Sequence, residues 1–228
     1  MTVLLRIDAS ARLDGSITRH MADRFIDGWR TSEQDVQIVP RDVGRRPPSI
    51  VSEASIRAGF TPPEQRTPDM KDTLAESMTL IDELRRADVL VIGAPLYNYG
   101  LPASLKAWID QVVRPGETFS FDLQRGDFPI ESTLRGKSMV VLSSRGEFGF
   151  EPGGIRDGWN HLNPHLQTVA TRLLGIAPND IYEIASAYQE FGDERHQRSR
   201  KEALQDAAEL GSRLAAVHRV PACAAGAG

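Results

Sequence analysis

Residues 88–102, DVLVIGAPLYNYGLP, decide the fold of this chain. The first seven of them, 88–94, form a near-continuous apolar run, which is typical of a strand that helices cover on both faces. Pro95 ends this strand, and the apolar spacing over residues 103–113 predicts that a helix follows. A buried strand, a loop and a helix in direct succession indicate an α/β protein with a parallel sheet.

The same alternation extends through the rest of the chain. Further strands are predicted at 3–7, 36–39, 137–143 and 180–184, and further helices at 16–30, 52–60, 69–86, 163–175 (with Asn163 as its cap) and 193–218. With right-handed crossovers, this alternation gives a flavodoxin-like, doubly wound parallel sheet of five strands in the order 2-1-3-4-5, with helices on both faces. Residues 1–220 are therefore predicted to form a single domain, and 221–228 a flexible tail.

The composition limits the classes of function. The chain has 228 residues, a net charge of −4 and one cysteine, Cys223. The acidic total gives no global attraction to nucleic acid or to an anionic membrane, and a single cysteine fits a reducing compartment. No apolar run reaches the roughly 20 residues that span a bilayer, and the N-terminus lacks a signal-peptide pattern. We therefore expect a cytoplasmic protein with neither a membrane nor a nucleic-acid partner.

In this strand order a ligand binds at the carboxyl ends of the first and third strands, where the order reverses. The loop after the first strand, residues 9–18, carries the hydroxyls of Ser10, Ser16 and Thr18 and opens a helix. The N–H groups at a helix N-terminus favour a phosphate, so this loop is a candidate phosphate site. The alternative is that Ser16 is only a helix cap.

The loop after the third strand, residues 93–102, combines two tyrosines with an asparagine. Such side chains can line a flat ring with polar edges, although ordinary loop packing is the alternative. Other chemistry has weaker support. The first strand is not followed by G-x-G-x-x-G, there is no G-x-S-x-G elbow, and residues 136–138 are interpreted as a turn rather than a P-loop. His161 and His165 have metal-ligand spacing, but Pro164 interrupts the helix face, so no metal site is predicted.

The stretch from residue 94 to residue 119 resembles the hallmark motif of the FMN-dependent NADH-azoreductase family, also described as NADH:quinone oxidoreductases and historically misnamed acyl-carrier-protein phosphodiesterase. The matching residues are the run 94–99 and then Leu101, Pro102, Leu105, Lys106, Asp110, Arg114, Gly116, Thr118 and Phe119. A second match, at residues 143–146, is similar to the family's S-R-G-G loop. The resemblance covers nearly the whole chain.

The resemblance implies where FMN would bind and what surrounds it. The phosphate would be held by Ser10, Ser16, Ile17 and Thr18. The isoalloxazine ring and ribityl chain would contact Pro95, Leu96, Tyr97, Asn98 and Tyr99. A third cradle, near the pyrimidine end of the ring, would consist of Ser144, Arg145, Gly146 and Glu147. The family forms homodimers with two active sites at the interface.

The expected function is therefore the transfer of two electrons from NADH or NADPH through FMN to a quinone or an aromatic azo compound, in ping-pong order. The cofactor carries the chemistry, so no catalytic side chain is assigned. Tyr99 and Phe121 are predicted to stack on the acceptor. Two alternatives stay open: a specialised reductase in a biosynthetic pathway, and an electron carrier or sensor that does not turn over small substrates.

The sequence also departs from the family pattern. Glu147 replaces the second glycine of the S-R-G-G loop, which places a carboxylate near the expected flavin edge. Residues 148–160 form an unusual insert after it. Residues 171–174 are TRLL, where relatives often have an apolar aromatic stretch, so Arg172 would make the substrate wall more polar. The acceptor is therefore less well specified than the cofactor.

Overall fold

A computed structural model describes residues 1–218. Its main sheet has five parallel strands, and a separate antiparallel hairpin has two. In chain order the strands are β1 (Thr2–Asp8), β2 (Val36–Asp42), β3 (Val89–Pro95), β4 (Phe119–Phe121), β5 (Ile130–Ser132), β6 (Ser138–Ser144) and β7 (Ile181–Ser186). The main sheet runs β2-β1-β3-β6-β7, which confirms the predicted order, and β4 pairs with β5. The predicted tail, 221–228, lies outside the described residues.

Helices cover both faces of the main sheet. They are α1 (Ile17–Ser32), α2 (Glu53–Phe60), α3 (Pro68–Thr73), α4 (Ala75–Arg86), α5 (Ala103–Val112), α6 (Asn163–Thr168), which continues as a π-helical turn over Val169–Leu173, and α7 (Glu194–His218). One buried cluster joins α1 and α7 to the sheet, and the other joins α4, α5 and α6 to its opposite face. β3 and β6 are buried along their whole length, as expected for central strands.

Two predictions about helices were wrong. The single helix predicted over 69–86 is divided at Leu74, which is the C-cap of α3 and the N-cap of α4 and has a φ of −93° and a ψ of −2°. Thr67 caps α3 and Pro68 is its first residue, so α3 is a separate turn before α4. A period of 3.6 residues does not reveal a break of one residue, because the apolar face continues across it.

The second wrong prediction concerns the start of α6. Asn163 is the first helical residue and not the cap. The Asn160 side chain caps the helix instead. Its Oδ1 accepts from the backbone N–H groups of Leu162 at 3.0 Å and Asn163 at 3.2 Å. The Asn163 side chain turns to Glu183 on β7. The cap is therefore supplied from three positions earlier.

Two residues of the family-like motif have a structural role. The Thr118 hydroxyl is fully buried and donates to the carbonyl of Val112 at 2.8 Å. Arg114 is also buried, and its guanidinium donates to the Ser77 hydroxyl at 2.7 Å and to Glu117 at 3.1 Å. These contacts join the end of α5 to α4 and to the hairpin. Burial lowers the pKa of Arg114, although Glu117 opposes that shift.

The proline-rich segment 43–68 lies on α4 and α5. The amide of Gln111 donates to the carbonyl of Ser49 at 2.7 Å, and the Ser49 N–H donates to Glu76 at 3.0 Å. The segment contains α2 and a short 3-10 turn at Pro63–Gln65. Within residues 1–218, no helix is both long and apolar enough to cross a membrane.

Candidate functional site

The loops after β1, β3 and β6 lie side by side at the carboxyl edge of the main sheet. The Ala9 N–H donates to the carbonyl of Gly93 at 2.8 Å, which joins the first two loops. The Leu96 N–H donates to the carbonyl of Ser144 at 2.9 Å, which joins the second and third. The fold therefore brings together the three segments that the sequence predicted to form one site.

The first loop forms a buried hydroxyl cluster at the start of α1. Ser10, Ser16, Ile17 and Thr18 are all buried. The hydroxyl oxygens of Ser16 and Thr18 are 3.3 Å apart, and the Arg12 N–H donates to the Ser10 hydroxyl at 3.2 Å. Ser16 caps α1, accepting from the Arg19 N–H at 3.4 Å. The first N–H groups of a helix have no acceptor within it, so this cluster suits a phosphate, and the capping and binding roles of Ser16 are compatible.

Arg19 holds this loop in place from below. Its guanidinium donates to the carbonyl of Ser10 at 2.8 Å and to that of Arg12 at 2.9 Å. The same group forms a paired contact with the Asp42 carboxylate at 2.7 and 2.8 Å. A planar guanidinium can satisfy all these acceptors at once, which fixes the loop before any ligand arrives.

Gly44 packs against the other side of the loop. Its N–H donates to the carbonyl of Asp8 at 2.9 Å. A Cβ atom at this position would lie 2.1 Å from the carbonyl oxygen of Ser10. Since that oxygen belongs to the backbone, it cannot rotate away as a flexible side chain would. The close approach therefore requires glycine at position 44.

The carboxylates beneath the loop are paired with arginines. Asp8 Oδ2 lies 2.8 Å from Arg6 Nε and 3.7 Å from Arg19 Nη1. Burial raises the pKa of Asp8, and the two arginines oppose that shift. The hydrogen bond from Arg19 lowers the pKa of Asp42. The positive charge of Arg19 is therefore close to the carboxylates of both Asp8 and Asp42. This charge reduces the repulsion that the two carboxylates would exert on a bound phosphate.

The second loop is a tight turn with a strained backbone. Asn98 has a φ of 48° and Tyr99 a φ of 63°, and the Gly100 N–H donates back to the carbonyl of Tyr97 at 2.9 Å. Two successive positive φ values are those of a type I′ turn. Left-handed backbone in a tyrosine costs on the order of 1–3 kcal/mol and is concentrated at ligand sites. The Tyr97 hydroxyl accepts from the backbone N–H of Ala11 at 3.3 Å, which joins this turn to the loop after β1.

The third loop carries the predicted carboxylate. The Tyr99 hydroxyl donates to Glu147 Oε2 at 2.8 Å, and Arg156 pairs with the other carboxylate oxygen. The bond from Arg156, followed by that from Tyr99, lowers the pKa of Glu147. The bond to Glu147 raises the pKa of Tyr99. The carboxylate therefore lies beside the second loop, as the sequence indicated, and is held by two donors.

Arg145 faces the interior of the same loop. Its Nη2 lies 3.5 Å from Asn163 Oδ1, and its guanidinium lies 5.5 Å from the centre of the Phe150 ring. Burial lowers the pKa of Arg145. Within the described part of the chain, Arg145 Nε and the hydroxyl of Ser143 are buried without a hydrogen-bond partner.

Several residues of this site were not predicted from the sequence. The ring centres of Tyr99 and Trp159 are 5.6 Å apart at 78°, and those of Tyr99 and Phe150 are 6.2 Å apart. The insert 148–160 therefore packs on the second loop. Its aromatic content, FGF at 148–150 and Trp159, was the available signal. Phe121 lies on β4 of the hairpin and is 57% exposed, so its stacking on an acceptor stays a prediction.

Comparisons with known proteins agree with this architecture. The sequence profile described as flavodoxin-like fold matches residues 2–210. The chain is 48% identical over 221 residues to "FMN-dependent NADH:quinone oxidoreductase 2" of Idiomarina loihiensis, covering 94% of this chain and 91% of that protein. It is 40% identical to "FMN-dependent NAD(P)H:quinone oxidoreductase 1" of Pseudomonas aeruginosa, covering 90% of this chain and 96% of that protein.

A solved structure has the same fold at lower sequence identity. The FMN-dependent NADH-azoreductase of Bacillus anthracis, crystallised in complex with FMN, aligns with a TM-score of 0.80 at 18% identity. The alignment covers 94% of this chain and 100% of that one. At 18% identity, this likeness establishes the fold alone. The comparison of function rests on the two relatives that are 48% and 40% identical.

Proposed function

The chain belongs to the flavodoxin-like family that includes the FMN-dependent NADH:quinone oxidoreductases, and from this premise we propose its function. The protein is an FMN-dependent oxidoreductase that uses NAD(P)H to reduce quinones. We extend the acceptors to aromatic azo compounds, since a flat conjugated acceptor of either kind suits the exposed Tyr99 ring. The ping-pong order, with the donor leaving before the acceptor enters, is part of the proposal.

The convergence of three loops on one edge of the sheet carries the assignment of the cofactor site. We assign the FMN phosphate to Ser10, Ser16, Ile17 and Thr18, because buried hydroxyls meet a helix N-terminus there. The isoalloxazine ring and ribityl chain are assigned to Pro95, Leu96, Tyr97, Asn98 and Tyr99, and the polar end of the ring to Ser144, Arg145, Gly146 and Glu147. The bond between Ala11 and Tyr97 supports one continuous site, because it links the first two groups.

FMN held by these three loops would supply the transfer of two electrons from NAD(P)H to the acceptor. The protein side chains bind and orient. The Tyr99 hydroxyl donates its proton to a hydrogen bond with Glu147. Tyr99 is therefore assigned to lining the site and not to donating a proton to the acceptor. The protons that the product needs come from water, and no side chain is assigned as a general acid.

We propose further that the protein acts in the cytoplasm as a homodimer. Residues 1–220 form one domain, which acts in the cytoplasm. Two chains form a homodimer with two active sites at the interface. The exposed apolar side chains of α2 and the hairpin, including Phe60, Phe121 and Phe128, support such an interface because a monomer gains little from exposing them.

Anaerobic titration tests directly whether the protein passes electrons from NAD(P)H to quinones. Purified protein is expected to show a flavin band near 450 nm, as any oxidised flavin does, and NADH or NADPH is expected to bleach it. Adding a quinone then restores the band in a second, separate phase. A band that NAD(P)H bleaches but that quinones, azo dyes and nitroaromatics fail to restore would favour the alternative electron carrier. Restoration by only one of these acceptors would favour a specialised biosynthetic reductase.

Ser16→Ala tests the phosphate assignment. Loss of a helix cap costs about 1 kcal/mol of stability, and loss of a hydroxyl to an ionised phosphate costs a further 1.5–3 kcal/mol of binding, roughly tenfold or more in the Kd for FMN. Ser52→Ala is the matched control, because Ser52 caps α2 through Ser55 and lies outside the three loops. We expect both variants to lose similar thermal stability as apoprotein and only Ser16→Ala to lose FMN affinity. Equal FMN affinities would reject the assignment.

A further inference from the structure

Tyr99 and Trp159 form an exposed aromatic corner. Tyr99 is 38% exposed and Trp159 is 51% exposed, and their rings meet edge to face at 5.6 Å. Phe150, which is buried, lies behind Tyr99 at 6.2 Å. The two rings touch edge to face and each keeps part of its surface exposed to solvent, so an exposed ring face is available to stack on a flat ligand.

A closed chain of contacts holds this corner. Arg156 pairs with Glu147, which accepts from the Tyr99 hydroxyl at 2.8 Å. The backbone carbonyl of Arg156 accepts from the Trp159 N–H at 3.1 Å. The carbonyl of Tyr99 in turn accepts from the N–H of His161 at 2.8 Å. Both ends of the insert are thereby attached to the same turn of the second loop.

Arg156 is the central member of this chain of contacts. Besides Glu147, its guanidinium donates to the carbonyl of Phe148 at 3.0 Å and lies 5.3 Å from the centre of the Phe148 ring. Its backbone N–H donates to the carbonyl of Gly149 at 2.7 Å. A charged group with this many contacts fixes the loop in one conformation, so the position of Trp159 is set before a ligand binds.

We propose that Trp159 is a specificity-determining residue that favours acceptors with two fused rings over acceptors with a single ring, and that Glu147 and Arg156 are its positioning residues. This inference rests on the proposed function. Trp159 extends the aromatic surface outward from Tyr99, beyond the turn assigned to the cofactor. A single-ring acceptor is held at the cofactor loop alone, whereas the second ring of a larger acceptor also contacts the indole.

The experiment compares 2-methyl-1,4-naphthoquinone with 1,4-benzoquinone as acceptors for the FMN-loaded protein and its Trp159→Ala and Trp159→Phe variants. Stopped-flow absorbance measures separately the bleaching by NADH and its reversal by each quinone. For Trp159→Ala, loss of one stacking contact and its apolar area is expected to lower the naphthoquinone rate constant about tenfold. The benzoquinone and NADH rate constants are expected to change by less than about twofold on the same grounds. Trp159→Phe is expected to fall between the two, since it keeps a smaller ring.

The positioning role has its own readout. Arg156→Gln removes the positive charge that pairs with Glu147, so it loosens the loop that holds Trp159. We expect this variant to raise the KM for the naphthoquinone while leaving kcat and the benzoquinone KM unchanged. Equal losses for both quinones, or no loss for either in both Trp159 variants, would overturn the proposal. Failure of the unmodified protein to hold FMN or to be bleached by NADH would instead refute the proposed function itself.

Discussion

Gly44→Ala is expected to leave the protein folded but largely without FMN, with a Kd raised about 100-fold, which corresponds to about 2.7 kcal/mol. A methyl group at this position would lie 2.1 Å from the carbonyl oxygen of Ser10, so that the backbone of the loop must move. Ser10 contributes one of the hydroxyls assigned to the phosphate. Losing one or two hydrogen bonds to an ionised group, at about 1.5–3 kcal/mol each, accounts for this size of effect.

Fluorescence titration of the apoprotein measures the effect, because FMN emission changes when the ring is bound. The control is Gly59→Ala in α2, where the nearest atom to a new Cβ, Cδ of the Arg114 side chain, is 4.0 Å away. This variant makes the same chemical change and is expected to keep the original FMN affinity. If Gly44→Ala also bound FMN with unchanged affinity, the loop after β1 would not be the phosphate site.

The strand order and the contact between the loops after β1 and β3 could be predicted because both follow from short-range patterns. The apolar run 88–94 and the alternation around it predict a parallel sheet, and the rule for its switch point selects the loops after β1 and β3. The structure confirmed that order and placed those loops in direct contact through Ala11 and Tyr97. These predictions needed no knowledge of side-chain packing.

What the sequence did not predict depends on contacts between distant residues. Nothing near position 44 indicates that its Cα lies against the carbonyl of Ser10, 34 positions earlier in the chain. Trp159 lies in the insert 148–160, and the sequence gives no sign of its contact with Tyr99. That contact depends on the loop conformation that the pairing of Arg156 with Glu147 stabilises. Asn163 was assigned as a cap from its residue type, whereas Asn160 does that work. In each case the tertiary environment, which one sequence does not display, decided the role.

Gly211→Ala is expected to destabilise the packing of α7 on α1 by about 2 kcal/mol. Gly211 of α7 packs on the backbone of α1, and a Cβ there would lie 2.0 Å from the carbonyl oxygen of Phe25 and 2.9 Å from the backbone nitrogen of Trp29. On the same interface, a Cβ at Gly28 would lie 1.9 Å from the carbonyl oxygen of Ala208. Neither helix has a flexible side chain at these points, so the axes themselves must separate.

Separation of the helices loosens the buried cluster that includes Phe25 and Trp29, and overpacking of this kind costs about 1–3 kcal/mol or more. Alanine gains up to about 1 kcal/mol over glycine in helix propensity, which offsets part of the cost. We expect a net loss near 2 kcal/mol and a fall in Tm of about 4–8 °C for a chain of this size, measured by circular dichroism on the apoprotein. Gly59→Ala, which gains the same propensity without the collision, should keep or raise the Tm. A Gly211→Ala protein as stable as that control would show that α1 and α7 do not pack backbone against backbone.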